Sequence, residues 1–172
     1  MLIWAAETYN GPVAVRYPRG TEGCFHGSGW TDLPEHVENT GLMMAHKEGG
    51  DVLLITYGSM LDNVLEAADL LESQGIHPAV VRLLTLSALP CREIIKYLPA
   101  SGKAVVVEET AHGSGVCQRL AAELRQLKPA CEVMGMDLGP DYVPHGQIKK
   151  LYEYCGVDPE SIAAKTKELL ES

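Results

Sequence analysis

From Asp51 onward the chain carries four short, almost unbroken apolar runs, DVLLITY, AVVRLLTL, KAVVVEE and EVMGMDL, with amphipathic segments between them. Runs of this length, rich in Val, Ile and Leu and bounded by Gly or Pro, predict strands buried on both faces. Between the first two, Leu61, Val64, Leu65, Ala68 and Leu71 recur at spacings of three and four, while Asp62, Glu66 and Asp69 fall on the other side. That period predicts a helix ending near Gly75. Ser59 and Asp62 have the spacing of a capping box at its start.

The later segments repeat the alternation. REIIKYL predicts a short helix stopping near Pro99. After HGSG, the residues Val116, Leu120, Ala121, Leu124 and Leu127 mark a longer one. Ile148, Leu151, Tyr152 and Cys155 share one side of a further short helix closed by Gly156. Asp158 followed by Pro159 predicts an N-cap and first helical position for a last helix striped by Ile162, Thr166, Leu169 and Leu170.

Apolar strands separated by helices require a mostly parallel sheet covered on both sides. The expected fold class is α/β, a three-layer α/β/α sandwich of four or five strands over residues 51–172. Residues 21–50 hold six glycines and follow neither period, which predicts an extended linker. Residues 1–20 read as the end of a preceding unit, with LIWAAETYN closing a helix and VRYPRG forming a strand.

Charge and composition narrow the function. A net charge of -9 and 46% hydrophobic residues describe an acidic globular chain, against nucleic-acid binding. The apolar runs are far shorter than the roughly 20 residues that span a bilayer. The opening MLIWAAETYN lacks the basic start of a secretory signal, so a cytoplasmic location is expected. Cys24, Cys91, Cys117, Cys131 and Cys155 form no C-x-x-C pair and predict reduced thiols packed as small apolar groups. No two of the six histidines stand four residues apart on a predicted helix, so no metal site is expected.

Two segments could carry chemistry. GPVAVRYPRG sets Arg16 and Arg19 around a strand end, where a guanidinium either binds phosphate or carboxylate or pairs with surface acids. VEETAHGSG puts Glu108, Glu109 and His112 at the end of a central strand, the edge where open α/β sheets bind ligands. A general acid or base fits there. So does a purely structural arrangement, with Ser114 capping the next helix and a glutamate in a salt bridge. His145, before Gly146, reads as a loop residue at a subunit contact or a helix cap.

RYPRG, a glycine-rich linker, DVLLITYGSM, VVVEE with a Gly-Ser-Gly turn, VPHG and GVDPESI follow one another over nearly all 172 residues. In this order they resemble the 1-deoxy-D-xylulose-5-phosphate synthase family, within the wider transketolase-like group. The resemblance implies the third domain of a three-domain enzyme that condenses pyruvate with D-glyceraldehyde 3-phosphate and releases CO2. Thiamine diphosphate and Mg2+ would belong to the full-length enzyme, bound by the other domains, with none on this chain. It also implies that the chain by itself is inactive and that its partners are the remaining domains and a second copy, in a homodimer. Arg16 matches the family's substrate-phosphate ligand, with Arg19 supporting it. Glu108, Glu109 and His145 carry over as structural or interface positions, and no residue carries over as catalytic. Where many members read R-F-x-K-P-L-D, this chain reads VRLLTLSALPC.

Two other readings share the architecture: the third domain of a transketolase or of a 2-oxo-acid dehydrogenase β-subunit, and a non-enzymatic module that binds an anion or a partner chain.

Overall fold

The computed structural model describes Glu7, residues 10–14 and residues 41–172. The chain divides into two units, Met1–Glu38 and Asn39–Ser172. Arg16, Arg19, Cys24 and the expected VRYPRG strand lie outside the described residues.

The second unit is built on one five-stranded sheet. Its strands are β1 (Met43–Lys47), β2 (Val52–Thr56), β3 (Pro78–Leu83), β4 (Lys103–Val107) and β5 (Glu132–Met136), and their spatial order is β1-β3-β2-β4-β5. β2, β3, β4 and β5 run parallel, while β1 pairs antiparallel with β3. The helices are α1 (Leu61–Glu72), α2 (Cys91–Ile94), α3 (Cys117–Leu127), α4 (Ile148–Cys155) and α5 (Pro159–Glu171).

The period of two along the strands sorts the core into two layers. Leu53, Ile55, Ala79, Val81, Leu83, Ala104 and Val106 pack with Ile94 of α2 and Leu120 and Leu124 of α3. The alternate residues Val52, Leu54, Val80, Val105 and Val107 are equally buried. They face α1 and α5, which pack on each other and on the central strands. Every residue of β2 is buried, as expected for a central parallel strand covered on both sides.

Three expectations are corrected. Met43–Lys47, expected within the linker of 21–50, is a strand of this sheet, so the domain starts ahead of Asp51. MMAHK is an edge strand with no fully buried residue, and such a strand needs no apolar run. Leu127, expected on the apolar stripe of α3, is 45% exposed at the last turn. The capping box at Ser59 does not form. A 3-10 turn over Gly58–Met60 leads into α1, and neither helix start is capped by a side chain.

The last helix follows its sequence closely. Asp158 is the N-cap, accepting the Ser161 N–H at 3.1 Å, with Pro159 directly after it. Among the described residues, no helix is long and apolar enough to cross a membrane.

Candidate functional site

β2 leads into α1 on one face of the sheet, and β4, its neighbour, leads into α3 on the other. Adjacent strands whose connections part in this way leave a crevice at their C-terminal ends, the usual ligand position of open α/β sheets. The residues that arrive there are Tyr57, Gly58 and Ser59 after β2, and Glu108, Glu109 and Thr110 after β4. Beneath them the buried Thr56 hydroxyl donates to the Val107 carbonyl at 2.9 Å, tying the two strand ends together.

Two glutamates follow β4 directly, and their fates differ. Glu108 is 3% exposed. Its Oε1 accepts the N–H groups of Val116 at 2.7 Å and Cys117 at 3.2 Å, the first amides of α3. A carboxylate there also meets the positive end of the helix dipole. Glu108 therefore does the work the sequence suggested for Ser114 as a cap, and it engages amides where a salt bridge was expected. Burial, and then the charge of and hydrogen bond to Glu108, push the Tyr57 phenol up to about 12. Burial and the charges of Glu108 and Asp137 push the Cys117 thiol up to about 11.

Glu109 faces outward. It accepts a hydrogen bond from the Ser59 hydroxyl. The Tyr152 phenol, contributed by α4, lines the same cavity as Glu109, and burial together with that carboxylate raises it to about 12. Glu109 borders a cavity of about 90 Å³ walled by Leu138, Val143, Ile148, Leu151, Tyr152 and Cys155. Three elements distant in sequence thus converge on one carboxylate.

His112 is exposed beside this crevice, its Nδ1 3.1 Å from Asp137 Oδ2. Asp137 also accepts the Gly139 N–H at 3.0 Å, and the His112 N–H donates to the Gly139 carbonyl at 3.1 Å. The pair clips the loop after β4 to the loop after β5. His145 is exposed in the loop before α4, whose N-cap position is Gln147. It is not brought to the glutamates by any described contact.

Sequence reasoning missed Tyr57, Tyr152 and Asp137, and gave Ser59 the wrong partner. Tyr152 was legible only as one position of an apolar stripe, and nothing local links Ser59 to a glutamate 50 residues later. Four cysteines among the described residues are free thiols, Cys91 and Cys131 buried, Cys117 and Cys155 partly so. No group of three or more His, Cys, Asp or Glu side chains able to hold a metal ion occurs among the described residues.

The transketolase C-terminal domain matches residues 41–162. The chain belongs to that family. The start of this match coincides with the start of the ordered sheet, two residues ahead of β1, and so with the corrected domain boundary. A chain of a split-gene transketolase in an inactive β4 tetramer superposes with a TM-score of 0.66 at 25% identity, covering 76% of this chain and 41% of that one.

Among curated relatives, the 1-deoxy-D-xylulose-5-phosphate synthase of Heliobacterium modesticaldum is 33% identical over 173 residues, which cover 99% of this chain and 26% of that protein. The synthase of Magnetococcus marinus is 36% identical over 177 residues, covering 98% and 27%. The chain thus spans about a quarter of the length of these relatives. In this transketolase C-terminal domain the exposed charge of the crevice is the Glu109 carboxylate with its Ser59 donor, an arrangement that attracts cations and hydrogen-bond donors and disfavours phosphate.

Proposed function

We propose that this chain serves as the C-terminal domain of a thiamine-diphosphate-dependent synthase that condenses pyruvate with D-glyceraldehyde 3-phosphate to 1-deoxy-D-xylulose 5-phosphate, with loss of CO2. The observation that carries the reading is the reach of the synthase match. It covers 99% of the chain, including residues ahead of Gly41 that the transketolase C-terminal domain match leaves out. A domain shared with transketolases at large gives no reason for likeness in that leading stretch, where RYPRG lies.

The domain's part in such an enzyme is packing and dimerisation, and by itself it does not turn over. The cofactor does not fit the described residues. Glu109 faces the crevice and repels a diphosphate, and no described carboxylate or histidine cluster suits Mg2+. The inactivity of the split-gene transketolase β4 assembly supports the same division of labour. Arg16 is the proposed ligand of the substrate phosphate, with Arg19 beside it, since a guanidinium fork matches phosphate oxygens.

A chimera tests this: the last quarter of the Heliobacterium synthase is replaced by these 172 residues. The chimera is expected to decarboxylate pyruvate only when glyceraldehyde 3-phosphate is present, while the 172-residue chain alone, given both substrates and thiamine diphosphate, forms no product. Arg16→Ala in the chimera raises KM for the aldehyde about tenfold or more, the loss of a charged hydrogen bond. Decarboxylation indifferent to the aldehyde would reject the synthase in favour of a 2-oxo-acid dehydrogenase or transketolase relative.

A further inference from the structure

We propose that Glu109 and the small apolar cavity it borders form a receptor for a basic side chain, an arginine or lysine, presented by another polypeptide segment. The structure supplies three requirements of such a receptor in one place.

The first is a held negative charge. Glu109 lies just after β4, where it accepts from the Ser59 hydroxyl just after β2 and shares a cavity lining with the Tyr152 phenol of α4. Hydroxyls orient a carboxylate without neutralising it, and at least two of its roughly four acceptor sites stay open. Among the described residues no Lys or Arg pairs with it. A guanidinium or ammonium would complete the set with charge-assisted bonds.

The second is an apolar slot beside the charge. The cavity of about 90 Å³ is walled by Leu138, Val143, Ile148 and Leu151. Pockets for cofactors and drug-sized ligands run about 300–1,000 Å³, so this one is too small for them. It suits the aliphatic stem of one long basic side chain, which packs its methylenes on apolar surface and keeps its head on a charge. An anion would meet Glu109, and an apolar plug would bury that carboxylate without a counter-charge.

The third is a rim that extends the contact past one side chain. Ile148, a wall of the cavity, is 58% exposed, and Tyr142, next to Val143, is 93% exposed. Ile148 and the walls beneath it offer apolar surface that a partner's own residues can cover. They favour a polypeptide carrying flanking apolar residues over a free amine.

The test uses the 15N-labelled 172-residue chain and three probes: the blocked tripeptide Leu-Arg-Leu, the same peptide with citrulline for arginine, and n-butylguanidinium. The arginine peptide is expected to shift the amides of Glu109, Ile148 and Tyr152 saturably. The citrulline peptide, which lacks the charge, binds about tenfold or more weakly. Glu109→Gln, at an exposed site and nearly isosteric, loses binding of the arginine peptide while the rest of its spectrum stays put. Tyr152→Phe weakens it severalfold. Equal shifts with citrulline, no saturable shift at these amides, or binding unchanged in Glu109→Gln would overturn the proposal. So would butylguanidinium binding as tightly as the peptide, which would assign the site to a free small cation.

Discussion

A Cβ placed on Gly115 would lie 2.1 Å from Glu108 Oε2, so the buried carboxylate occupies the space that any side chain at Gly115 would need. The strand β4 and the start of α3 are joined through this pair. Its tightness is what aims Oε1 at the Val116 and Cys117 amides.

Gly115→Ala is therefore expected to cost about 1–3 kcal/mol by overpacking. Glu108→Ala, which strands two amides of α3, costs about the same. Because both act on one contact, the double variant costs less than the sum of the two, a coupling that urea unfolding of the four proteins measures.

Lys103 holds the end of the chain to the sheet. Its Nζ donates to the Leu169 carbonyl at 2.6 Å and reaches the Leu170 carbonyl at 3.4 Å, so a cation on β4 caps the C-terminus of α5. Lys103→Met keeps the apolar stem and removes the charge. A loss of about 1 kcal/mol is expected, and amide exchange in the last turn of α5 should accelerate while the exchange of β2 stays slow.

Asp158 makes stability sensitive to acid. Burial raises its carboxyl, but the hydrogen bonds from Ser161 outweigh this and hold it below the ordinary carboxylate value. A depressed folded pKa gives stability that is full above the unfolded value, near pH 4, and lost as pH falls through the folded one. Thermal unfolding between pH 5 and pH 2, ranges set by those values, should show Asp158→Ala about 1 kcal/mol less stable at the top of the range and nearly level with the parent at the bottom.

At the alkaline end, Tyr57 and Tyr152 are held protonated up to about 12 by burial and by their glutamates. A folded pKa above the unfolded value of about 10 gives stability that is complete below pH 10 and drains away as pH rises through 12. Absorbance titration should show a late-ionising phase that loses one phenol in Tyr57→Phe and one in Tyr152→Phe. If neither substitution changed that late phase, the placement of these two phenols beside their glutamates would be wrong.

Much of the scaffold was readable from residues alone. Central parallel strands must be apolar on both faces, so DVLLITY and KAVVVEE announced themselves, and Asp158 with Pro159 marked a helix start whose geometry is local. β1 was not readable, because an edge strand half-covered on each face has no run or alternation strong enough to stand out from the glycines around it.

The site divides along the same line. The sequence by itself determined which groups reach the C-terminal edge, since strand ends and turns are set by near neighbours: Ser59 after the first run, Glu108 and Glu109 after the third. Only the tertiary structure decided what each group does there. Ser59 meets Glu109 across 50 residues, and Tyr152 joins them from α4. Glu108 turns inward because α3 starts beneath it. Hydrogen bonds act over about 3 Å of space, whatever the separation along the chain, so partners of this kind appear only once strands and helices have been packed together.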